Sequence, residues 1–187
     1  MAAETTDIRI ARTMLTQGRK SEALAFLKDR GYLLHGSRKN LEVIKSRSSY
    51  TSLPGYAGLM ATRPTKGTTT GNEKRVLVSS RKFNNGFIYV VPRDGSQRPY
   101  DIRNIRGRKQ VTEYRTESQI TPLMRIPVTR SDLLGLGVKV RWSPALAVKH
   151  RLQEKGILRV LGEFVPERRF QIGLKLRRPR ARAKQRI

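Results

Sequence analysis

The sequence has no cysteine, which excludes disulfides and thiolate metal sites and leaves packing to hold the fold. Histidine is nearly as scarce. His35 and His150 are the only two and stand far apart, so no imidazole pair for a metal or for proton transfer can be drawn from sequence neighbours. No apolar run approaches the roughly 20 residues of a membrane helix, and residues 1–17 lack the apolar core of a signal peptide. A soluble chain with no membrane partner is expected. Aromatic residues make up only 6% of the sequence, too few for a continuous base-stacking platform. No Gly-rich phosphate loop of the Walker type occurs, and Gly135-Leu136-Gly137 lacks the third glycine and the preceding strand of a dinucleotide site. No catalytic residue, cofactor or metal is expected.

Negative charge is the most telling shortage, with 14 Asp and Glu facing 40 Lys and Arg for a net charge of +26. If every acid neutralised one base, 26 cations would remain. Self-repulsion on that scale disfavours a compact chain unless a polyanion offsets it. The excess is spread along the chain, +7 over residues 1–70, +8 over 71–130 and +11 over 131–187. Arg outnumbers Lys, and its planar fork matches phosphate oxygens. The expected partner is therefore nucleic acid, DNA or RNA, together with the other proteins of any nucleoprotein assembly.

Residues 1–45 read as a helical unit. Ile8, Ala11, Met14 and Leu15 form a stripe ended at Gly18; Ser21 caps a second helix with Leu24, Phe26 and Leu27 inward, stopped by Gly31. Tyr32-Leu33-Leu34 reads as a short strand, and Ser37 caps a third helix, Arg38 to Lys45, with Leu41 and Ile44 on its buried side. Residues 46–72 shift to Ser, Thr, Gly and Pro, a linker or loop whose apolar first half docks on a neighbour. Residues 73–127 read as a small antiparallel β region. Asn84-Asn85-Gly86 predicts a hairpin between Arg75–Val78 and Phe87–Val91, Asp94-Gly95 marks a turn, and Tyr100–Ile105 and Gln110–Tyr114 are further strands. Arg98, Arg103, Arg106, Arg108 and Lys109 cluster around Gly107, with Tyr100 and Tyr114 as stacking partners for bases or, equally, as core tyrosines beside a charged loop.

The best-punctuated stretch runs from Arg141 to Arg177. Ser143 caps a helix, Pro144 fits its first position and Gly156 stops it after about three turns. Ala145, Val148 and Leu152 make a buried stripe, while Lys149, Arg151 and Lys155 lie on the remaining surface. After Gly156 the period becomes two, Leu158 and Val160 in one strand and Phe170, Ile172, Leu174 and Leu176 in another, joined by a loop containing Pro166. Helix, glycine, strand, loop and strand resemble the recognition helix and wing of a winged helix-turn-helix domain. The similarity extends back through Thr129-Arg130-Ser131-Asp132-Leu133-Leu134-Gly135-Leu136, like that family's preceding helix, and includes Lys155-Gly156-Ile157-Leu158, like its turn into the wing. The fold class is then α+β: a small N-terminal helical unit, central antiparallel hairpins, and a winged-helix-like unit at 128–177 followed by a basic tail at 178–187.

The resemblance implies DNA binding, with Lys149, His150, Arg151 and Gln153 facing a groove, Lys155 beside them, and Arg168, Arg169, Arg177, Arg178, Arg180 and Arg182 gripping phosphates. The alternative is a structural RNA- or genome-binding component of a ribosome or virion, which the evenly spread charge favours. In either case the chain is expected to be intracellular or inside a nucleoprotein particle. A minor alternative is a Mg²⁺-dependent nuclease using Asp94 or Asp101 with Glu113 and Arg115.

Overall fold

The chain forms an α+β fold of helices and largely antiparallel sheets in a computed structural model, which describes residues 5–63, 69–71, 75–80, 82–103 and 109–154. Helices α1 (Thr6–Thr16) and α2 (Lys20–Asp29) pack as the apolar stripes predict, with Ile8, Ala11, Leu24 and Leu27 buried and Met14, Leu15 and Phe26 against them. Both stop at a left-handed glycine, Gly18 (φ 75°) and Gly31 (φ 84°). At each stop a backbone N–H beyond the glycine reaches back over the last turn, Arg19 to Met14 O at 2.9 Å and Tyr32 to Leu27 O at 3.0 Å.

The central sheet has the order β1 (Leu33–Ser37), β5 (Gly86–Val91), β8 (Met124–Val128), all antiparallel. Period-two alternation gives it two buried faces. Leu34, Ile88, Val90, Met124, Ile126 and Val128 face the helices, while Leu33, Tyr89 and Val91 join Ile44 and Tyr50 in a second cluster on the opposite side. Each fully buried Leu, Ile or Val contributes about 1.5–3 kcal/mol relative to exposure, and this sheet contributes such residues on both faces.

Helix α3 (Pro54–Thr62) lies inside the stretch expected to be a linker. It bears no charge within its span, and Gly55, Ala57, Gly58, Leu59, Ala61 and Thr62 are buried. Small residues let the helix come within backbone contact of the sheet: a Cβ on Gly36 would stand 2.0 Å from Ala57 O, and one on Gly86 would stand 2.1 Å from Ala61 O. The expected Asn-Gly hairpin is absent for the same reason. Asn84 is committed to the end of α3, its N–H donating to Thr62 O at 3.0 Å and its Nδ2 to Arg63 O at 2.7 Å. No residue of Asn84-Asn85-Gly86 takes the positive φ of a type I′ turn. Strand β4 (Arg75–Val78) pairs instead with β3 (Thr69–Gly71) and, in parallel, with β9 (Lys139–Trp142). Val76, Val78, Leu133 and Val138 then close on Leu59 of α3.

The helix expected over Arg38–Lys45 is also absent. Tyr89, fully buried, accepts a hydrogen bond from Leu41 N–H at 2.7 Å and donates to Lys39 O at 2.9 Å, and Ile44 forms a backbone bridge with Ile120. These tertiary bonds satisfy backbone groups along a non-helical path, overriding the local helical pattern. The small strand β2 (Ser49–Tyr50) follows and pairs with β7 (Lys109–Arg115), which in turn pairs antiparallel with β6 (Arg98–Arg103) as the sequence predicts.

Between the short helix α4 (Asp132–Gly135) and α5 (Pro144–Glu154) stands β9, so the expected helix-turn-helix is a helix, strand and helix in the described residues. The turn of that motif takes three or four residues; here the strand lies between the helices. The expected wing and basic tail lie outside the described residues.

His35 sits in the second cluster, its Nδ1–H donating to Ser49 O at 2.9 Å and its ring 5.7 Å from Tyr50 and 6.3 Å from Tyr89. Burial lowers its pKa, and the Ser49 carbonyl opposes this only in part. The unfolded chain then binds the proton more readily, so this contribution to stability is present above the unfolded value of about 6.5 and is lost as pH falls below it toward the folded value. Melting temperature should fall between pH 7 and pH 5, and His35→Gln should flatten that fall; equal slopes in both proteins would remove His35 as its source.

Candidate nucleic-acid interface

The helix expected to carry groove contacts begins as the sequence predicts, with Leu146 N–H donating to Ser143 Oγ at 3.2 Å and Pro144 in the first position. On it Arg151 is exposed and Lys149 and His150 are half-buried; Gln153 belongs to the same helix. The stripe it was expected to bury differs. Val148 is 54% exposed, and Ala145 and Leu152 are half-buried, because α5 packs at the border of the β3–β4–β9 sheet beside β4. Strand β9, immediately before it, adds exposed Lys139 and Arg141. Lys155, Arg168, Arg169, Arg177, Arg178, Arg180 and Arg182 lie outside the described residues, as do Arg106 and Arg108.

The β6–β7 hairpin brings a second set of predicted residues together. Arg103 and Lys109 are register partners beside an irregularity at Ile102/Arg103, and at the opposite end of the ladder Arg98 is the partner of Arg115. Like charges opposite each other repel. Tyr100, the partner of Glu113, lies two residues from Arg98 along β6 on the same face.

Glu113 is the acid that holds the exposed rung in place. Its carboxylate is buried between the hairpin and α3, accepting a hydrogen bond from Tyr56 Oη at 2.9 Å and lying 3.6 Å from Arg115. Burial raises the Tyr56 pKa, helped by the Glu113 charge, so the phenol stays a donor. Anchored there, the Arg115 guanidinium lies 4.3 Å over the Tyr100 ring, and both side chains are about half exposed, 49% and 51%. The same device recurs elsewhere: Arg93 over Tyr114 at 4.9 Å, Arg125 over Phe87 at 5.1 Å, and Arg130 over Phe83 at 5.0 Å. A guanidinium stacked on a ring loses part of its rotamer freedom in advance while its N–H groups remain at the edge for an anion.

Neither Arg115 nor Tyr56, the partner of Glu113, is among the residues expected to bind nucleic acid. Arg98 and Tyr100 share a face by simple alternation, but placing Arg115 there requires the strand register. Tyr114, by contrast, packs on the second core cluster and is only half-exposed.

The strand register sets the acids of the nuclease alternative at separate positions. In the ladder Asp101 is opposite Thr112 and Glu113 is opposite Tyr100, while Asp94 closes its own turn by accepting from Ser96 N–H at 2.9 Å. Among the described residues no group of three or more metal-ligating side chains is assembled, and no helix is long and apolar enough to cross a membrane. No protein-family model matches the chain, and no curated protein or solved structure was found to be similar to it.

Proposed function

We propose that the protein is a non-catalytic nucleic-acid-binding protein that holds its partner mainly through phosphate contacts from Arg and Lys. The observation that carries this reading is the charge: 40 basic residues face 14 acids. Several of those acids are already spent on internal pairs, Asp7 with Arg30, Glu22 with Arg19, Asp132 with Lys20 and Glu117 with Arg47. With 40 bases and only 14 acids, 26 positive charges remain even if every acid is paired, and a phosphate polymer supplies the missing charge.

Between sequence-reading and structural binding, the even spread of cations favours a structural component of a nucleoprotein particle, a ribosome or a virion, inside a cell or the particle itself. The strand between α4 and α5 takes support from groove docking by a helix-turn-helix, and α5 then serves as one more phosphate-facing element. The test is titration of the nuclease-treated full chain into labelled duplex DNA and structured RNA at low ionic strength. Binding to either supports the reading, and binding to neither overturns it.

A further inference from the structure

Among the described residues, Tyr100 of the β6–β7 face is the most exposed aromatic ring, at 51% against 40% for Trp142, and it stands beside cations. We infer that this face is a binding site for single-stranded nucleic acid, with one base stacking on the Tyr100–Arg115 pair and the flanking phosphates taken by Arg98 and Arg115. The inference rests on the proposed nucleic-acid binding and names the form of the partner.

Two features of the geometry point this way. Arg98 and Arg115 occupy one rung although their charges repel, and the nearest acid on that face, Glu113, is buried and already engaged by Tyr56 and Arg115. The rung therefore retains a net positive charge that suits a phosphate. Next, Tyr100 is 51% exposed at the following position on the same face, with the Arg115 guanidinium 4.3 Å from its ring. Ring and guanidinium together form a flat, cationic platform. A nucleobase can stack on such a platform only when its own face is free, as in an unpaired strand and not in a duplex.

Glu113 has a positioning role. By fixing Arg115 from beneath, it keeps the guanidinium over the ring when the site is empty, so less side-chain freedom is lost on binding.

The test uses the nuclease-treated full chain with three probes, an oligouridylate, its deoxy counterpart and a duplex of equal length. Tyr100→Leu, which keeps apolar bulk and removes the ring, should weaken both single-stranded probes about tenfold and the duplex less than about twofold, with the salt slope unchanged. Tyr100→Phe should bind like the parent. Arg98→Gln should lower the salt slope on the single strands by about 0.7, the loss of one phosphate contact. Equal loss on single strand and duplex with Tyr100→Leu, or no loss on either, overturns the inference while leaving the broader proposal intact. If the parent protein binds no probe at all, it is the broader proposal that fails. Should Tyr100→Leu not fold, the Arg98→Gln slope decides alone, an unchanged slope counting against the site.

Discussion

Gly36→Ala and Gly86→Ala are expected to destabilise the fold by about 4 kcal/mol or more each, at the upper end of what single substitutions do. The added methyl would lie 2.0 Å from Ala57 O in the first case, and 2.1 Å from Ala61 O and 2.8 Å from Ser37 O in the second. Those atoms are backbone, so no rotamer change relieves the clash. The helix would have to lift off the sheet, opening the core cluster that contains Ala57, Ala61, Ile88 and Leu34. With a total stability of about 5–15 kcal/mol for a native protein, either variant stands at the edge of unfolding. Thermal melts should fall by roughly 8–16 °C for a chain of this size. Gly95→Ala is the control: its φ of 83° carries backbone strain, but nothing lies within 4 Å of the added carbon, so its loss should be about 1 kcal/mol. Similar melting temperatures for Gly36→Ala and Gly95→Ala would contradict the close seating of α3.

Glu113→Ala is expected to cost about 3 kcal/mol, the usual size for breaking a buried charged contact from one side. The substitution leaves the Tyr56 hydroxyl facing a partnerless space and removes the negative charge beside Arg115, which then meets Arg98 across the ladder without compensation. Glu113→Gln keeps an acceptor for Tyr56 Oη and should lose about 1 kcal/mol. Removing an acid adds to the positive surplus, so duplex affinity at low salt should hold or rise while the melting temperature drops, and single-strand affinity should fall because Arg115 loses its anchor over Tyr100. A nuclease built on Glu113 would show the reverse pattern, a folded protein whose Mg²⁺-dependent cleavage is abolished by Glu113→Gln.

The parts of the fold that sequence reasoning reached are those where local pattern and tertiary need agree. The stripes of α1 and α2, their glycine stops, the β6 and β7 strands, and the Ser143-Pro144 start of α5 are all local signals that packing leaves in place. Helix α3 was hidden because the property that lets it seat on the sheet, its run of Gly, Ala and Thr, is also the composition of a linker. Asn84-Asn85-Gly86 misled for a related reason: Asn84 closes a helix end and Gly86 admits a carbonyl, uses that the dipeptide rule for hairpins does not distinguish. Over Arg38–Lys45, the deciding partner was Tyr89, far along the chain. Strand β9 pairs in parallel with β4 across a long stretch of sequence, a contact that no local period announces.

The candidate interface divides in the same way. Charge surplus and the basic residues of α5 and β6–β7 are plain in composition and alternation. The Arg98–Arg115 rung, the stacked Arg115–Tyr100 pair and the buried Glu113 beneath it depend on register between strands, which sequence alone left open. Tyr56 contributes from inside the presumed linker, so its link to Glu113 became visible only with α3 in place.

The most direct measurement of the central claim is the salt dependence of nucleic-acid binding by the nuclease-treated full chain. If its surplus of 26 positive charges serves a phosphate polymer, six to ten phosphate contacts should cost roughly three to five decades of affinity between 50 and 200 mM salt, with log K linear in log salt concentration. A flat salt profile, or no binding to RNA or DNA at 50 mM, would contradict it.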